Sequence, residues 1–94
     1  MKAEDYAALK ELLIKITELK NFEYNNAHIL TEKFLTLGKE SDNPYATEDY
    51  DTIKEYLESS QRSKSDQGKA QDWETACDML YDNIEVIIQT NSAD

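Results

Sequence analysis

Near its end the chain repeats apolar residues at intervals of three and four: Trp73, Ala76, Cys77, Leu80, Tyr81, Ile84, Ile87 and Ile88. That spacing closes one face of an α-helix and is incompatible with a strand, whose faces alternate every second residue. A helix with such a stripe is stable only when the stripe is buried against other elements. The acids of the same stretch, Glu74, Asp78, Asp82 and Glu85, are spaced four, four and three and fall in a line on a different face. No Lys or Arg follows Lys69. One helix thus offers an apolar stripe to a core and an unrelieved row of carboxylates to its surroundings.

The rest of the chain has the same helical period. With 94 residues there is room for one core, and 2 Gly and 1 Pro are too few for a turn-rich β fold. A first helix is predicted over 4–20, with Tyr6, Leu9, Leu13, Ile16 and Leu19 as its stripe and Leu12 beside it. A second is predicted over 25–37, capped by Asn25 or Asn26, with Ala27, Leu30, Phe34 and Leu37 inward. Gly38 suits the left-handed residue that ends many helices, and Phe22 and Tyr24 suit a staple of the preceding link against the core. Residues 38–47 read as a loop around Asn43-Pro44, with Thr47 as the next cap. A third, short helix follows over 48–59, with Tyr50, Ile53 and Leu57 inward and Tyr56 alongside. A polar connection over 59–68 leads to the fourth helix, 69–89, and residues 90–94 should fray. The expectation is all-α: a small antiparallel bundle of three long helices, with the third helix as a short lid.

Charge narrows the range of functions. The net charge is −10, which opposes direct binding to nucleic acid or to an anionic membrane. The excess is confined to one half. Residues 1–39 balance Glu4, Asp5, Glu11, Glu18, Glu23 and Glu32 against Lys2, Lys10, Lys15, Lys20, Lys33 and Lys39. Residues 40–94 hold every other acid against Lys54, Arg62, Lys64 and Lys69 alone. No apolar run is long enough to span a bilayer, and the start of the chain lacks the apolar core of a secretory signal. One cysteine allows no internal disulfide, so Cys77, on the apolar side of its helix, reads as a small buried thiol in a reducing, cytoplasmic setting.

Catalytic constellations are missing. A Cys77–His28 nucleophile and base would need an exposed thiol, and the spacing places Cys77 on the apolar side. One Cys and one His cannot build a four-ligand zinc site, and no Glu-x-x-His pair exists for a di-iron bundle. His28 and Glu32 form an i,i+4 pair, which alone makes no metal centre. Two glycines cannot make a phosphate cradle, and the loop SDNPYATED lacks the central glycine and closing glutamate of a calcium loop. The reading is non-enzymatic, with no cofactor and no metal.

Two features remain. Asp51, Glu55 and Glu58 form a second acid row on the third helix, beside the row of Glu74, Asp78, Asp82 and Glu85. Like charges at i,i+4 cost a few tenths of a kcal/mol. An acidic surface serves solubility in many proteins, but those surfaces usually mix their signs, as the first helix does. The second feature is Tyr45 and Tyr56 among the acids, a pairing of rigid aromatic anchors and steering charge that suits an interface. The expectation is a small acidic protein, monomer or homodimer, that binds and inhibits a basic partner. The alternative is an adaptor that completes a bundle with another chain.

Overall fold

The computed structural model describes residues 2–40 and 46–91. It contains four helices: α1 (Ala3–Thr17), α2 (Tyr24–Glu40), α3 (Ala46–Arg62) and α4 (Asp66–Asn91). Each helix packs on its neighbours in chain order and α4 closes the ring on α1, while α2 also touches α4 across the diagonal. The α3–α4 pair shares the largest interface. Sequential helices run antiparallel, as short links require. Tyr24 at the start of α2 meets Ser60 at the end of α3, and Ser60 in turn bonds Lys69 at the start of α4.

The core is continuous through all four helices. Leu9, Leu12 and Ile16 come from α1, and Ala27, Leu30 and Phe34 from α2. Tyr50, Ile53 and Leu57 come from α3, and Trp73, Ala76, Leu80, Ile84 and Ile87 from α4. The all-α bundle anticipated from periodicity is therefore present, and the stripe of α4 is its spine. Cys77, Tyr81 and Ile88 flank that spine half-buried.

The third helix is not a short lid. It is 17 residues long, equal to α2, and Ile53 and Leu57 are sealed from solvent. Its length was underestimated because Ser59 and Ser60 look like loop residues. Ser60 is fully buried, and its hydroxyl donates to the Lys69 carbonyl at 2.7 Å and pairs with the Tyr24 hydroxyl at 2.9 Å. The Ser59 hydroxyl donates to the Asp72 carboxylate at 2.7 Å. These bonds extend α3 to Arg62 and shrink the expected polar connection to 63–65.

Both glycines do something other than end a helix. Gly38 lies inside α2, buried and without positive φ. A Cβ there would stand 2.8 Å from the Ala46 Cβ, so glycine permits α2 and α3 to approach. Gly68 lies in the first turn of α4, where its N–H donates to the Ser65 hydroxyl at 2.9 Å. That cap starts α4 at Asp66, earlier than expected. A Cβ at Gly68 would meet the Ser63 and Ser65 hydroxyls at 2.8 Å.

Two other caps also differ from expectation. Asn25 and Asn26 lie inside the first turn of α2, and Glu23 precedes them. Glu23 Oε1 accepts from the Lys20 N–H at 2.6 Å, and Oε2 accepts from Asn26 Nδ2 at 2.8 Å. Thr47 lies one residue inside α3; the Asn43-Pro44 turn and Tyr45 fall outside the described residues. The first helix ends at Thr17, which leaves Leu19 in the link, packed on the core. In that link Phe22 takes a left-handed φ of 69°, unusual for a bulky residue. Its ring sits 6.2 Å from Tyr24 and 5.9 Å from Trp73, so the expected staple is an aromatic cluster on the head of α4.

Candidate functional site

Both acid rows lie off the core face, exposed except for the half-buried Glu58 and Glu85 at their ends, and helix geometry explains why. Two residues along an α-helix rotate by about 200°. Each row acid stands two positions from a buried one. Asp51 and Glu55 bracket Ile53, and Glu58 precedes Ser60 by two. On α4, Glu74 and Asp78 bracket Ala76, Asp82 lies midway between Leu80 and Ile84, and Glu85 precedes Ile87 by two. The residues that fix the core thereby fix the outward charge.

The rows do not merge into one strip. On α3, the charges of Asp51 and Glu58 act on the Tyr50 hydroxyl, which bonds Glu32 of α2; that row leans toward α2. On α4, Glu74 and Asp78 line a pocket with Ile16 and Leu19 beside α1; that row leans toward α1. The seam between them is filled by neutral or paired groups such as the Ser59–Asp72 bond. Tyr56, three residues before Ser59, lies on that seam flank and is 37 % exposed. Tyr45 lies outside the described residues.

Little in the chain neutralises the rows. Among the described residues the ion pair is Glu11–Lys15 on α1, at 3.6 Å and exposed. Glu85 accepts a long 3.3 Å bond from Gln89. The other row acids have no hydrogen-bond or ion-pair partner among the described residues. Two cations of the same helices lie over rings: Lys54 is 5.8 Å from the Tyr50 centroid and Lys69 is 5.9 Å from that of Tyr24.

Burial, hydrogen bonding and, to a lesser degree, neighbouring carboxylates shift three groups. Burial, then the charge of Glu48, raises the Asp49 carboxyl. Donation to Glu32, then burial, then the charges of Glu32, Asp51 and Glu58, push the Tyr50 hydroxyl up to about 12. The periodicity of α3 places Tyr50 inward but gives no sign of the Glu32 acceptor, which comes from α2. Burial, then the charge of Asp78, pushes the Cys77 thiol up to about 11. A thiol held protonated at neutral pH is a poor nucleophile. Among the described residues no three His, Cys, Asp or Glu side chains converge as metal ligands. No helix in the described residues is long and apolar enough to cross a membrane.

A different surface runs along the α1–α2 seam, where Ala8, Leu12 and Leu37 line a groove bordered by Lys15, Lys33 and Glu32. Near it Ile29 is 52 % exposed, and on the outer face of α1 Ile14 is 58 % exposed. By contrast, the bundle covers Tyr81, Ile87 and Ile88 at the end of the α4 stripe wholly or in part. The chain matches no family model, and comparison with curated proteins and with solved structures finds no match.

Proposed function

We propose that this chain is a non-catalytic binding protein that captures and blocks a basic protein in the cytoplasm. The partner class is a nuclease, a toxin or another protein that handles nucleic acid, whose groove is built for phosphates. Regularly spaced carboxylates on a rigid helix present such a groove with negative charge, in the manner of an immunity protein or a DNA mimic. The observation that carries the reading is the outward α4 row, which lacks a cation of its own. The α4 row makes the main contact. The α3 row, with Tyr56 at its flank, widens the negative field that steers encounter.

Capture of basic proteins from the source cell, followed by binding measurements from low to high salt, tests this. Affinity should fall steeply as salt rises. Affinity that ignores salt would refute the reading. The α1–α2 groove favours a second reading, an adaptor whose groove is completed by another chain. A concentration-dependent melt that sharpens with a bound helical partner would favour that one instead.

A further inference from the structure

The α4 row begins at the mouth of a pocket. The walls come from the end of α1, the 18–23 link and the first turns of α4: Ile16, Leu19, Phe22 and Trp73, with Glu74 and Asp78 at the rim. Its volume is about 310 Å³, at the small end for ligand sites. Among the described residues no Lys, Arg or His lines it. The grooves along the α1–α2 seam differ, since Lys15 and Lys33 border both. Of these concavities it is the one that joins aromatic walls to uncompensated carboxylates. Phe22 is 38 % exposed and its ring meets Trp73 edge-on, 60° between planes.

We infer that this pocket receives an arginine side chain of the basic partner. The inference rests on the acidic-surface reading and names its anchor. An arginine stem packs along Ile16 and Leu19, as long cationic side chains cover apolar surface. The planar guanidinium lies against the exposed ring of Phe22, which attracts cations through its π face, with Trp73 buried behind that ring. Its fork of N–H donors reaches the Glu74 and Asp78 carboxylates, a geometry that a lysine ammonium cannot reproduce. The occupant is one arginine side chain rather than a helix or a second copy, because an exposed ring beside two carboxylates complements a single guanidinium.

The chain has 1 Trp, so Trp73 emission reports occupancy directly. Tetra-arginine peptide is titrated into the full chain at low salt, with tetra-lysine as the comparison. The expected result is a saturable change in Trp73 emission with tetra-arginine and a much smaller one with tetra-lysine. Phe22→Gly removes the ring while keeping a residue at ease with positive φ, and should weaken tetra-arginine binding about fivefold. Glu74→Gln, on the exposed rim, should weaken it comparably without endangering the fold. Asp82→Asn, lower in the row, should weaken binding but leave the emission change at saturation intact. Binding without an emission change, equal responses to the two peptides, or full affinity in both Phe22→Gly and Glu74→Gln would overturn the pocket and leave the acidic surface standing. Failure of tetra-arginine to bind at low salt would overturn both.

Discussion

The α1–α2 half and the α3–α4 half of this bundle solve the same packing problem with opposite surfaces. The first half mixes its signs, holds the Glu11–Lys15 pair and leaves an apolar groove along its seam. The second half carries the whole net charge, yet its helices share the largest interface and seal Ile53, Leu57, Leu80 and Ile84. Repulsion among exposed carboxylates costs a few tenths of a kcal/mol per pair, whereas each sealed aliphatic side chain contributes on the order of 1.5–3 kcal/mol. The half that tolerates concentrated charge is the half with the larger helix–helix interface and the Ser59–Asp72 and Ser60–Lys69 bonds across its seam.

The largest effect that can sharpen this contrast comes from core truncation. Ile84→Ala removes a fully buried side chain from the α4 spine and should cost ~2–5 kcal/mol in chemical denaturation. Leu37→Ala, at the half-open α1–α2 groove, should cost under about half as much, because solvent already reaches the site. Equal losses would erase the distinction between the halves.

A smaller effect concerns alkali. The Tyr50 hydroxyl is raised to about 12 in the folded chain from 10.0. A raised value means that the folded state holds this proton more tightly than the unfolded state does. The stability it contributes is complete below pH 10 and is lost as pH climbs toward 12. Tyr50→Phe should flatten that part of the pH–stability curve, measured by urea denaturation at a series of pH values. An unchanged slope would show that the Tyr50–Glu32 bond between the halves is not maintained in solution.

The sequence was most informative where periodicity was long. The stripe of α4 could be read almost residue by residue, and so could the outward position of its acids, since one follows from the other. It was least informative where tertiary partners override local preference. Ser59 and Ser60 look like loop residues until Asp72, Lys69 and Tyr24 supply partners for their hydroxyls. Gly38 looks like a helix stop until Ala46 is seen against it. The candidate site was half legible. The rows could be counted from spacing, but their divergence depends on which neighbour each helix face meets. The pocket under Phe22 was hidden as well, because it joins α1, a link and α4, segments far apart in the chain.

The proposed binding depends on the placement of charge, not on its total. The most direct test compares two double reversals that change net charge equally: Asp78→Lys with Asp82→Lys on α4, and Glu4→Lys with Glu11→Lys on α1. Affinity for the captured basic partner, or for tetra-arginine, is measured at several salt concentrations. The α4 pair should lose affinity at least about tenfold, roughly 1.4 kcal/mol, and flatten the salt dependence, while the α1 pair changes little. Equal losses from the two pairs would contradict the claim and reduce the acid rows to a solubilising surface.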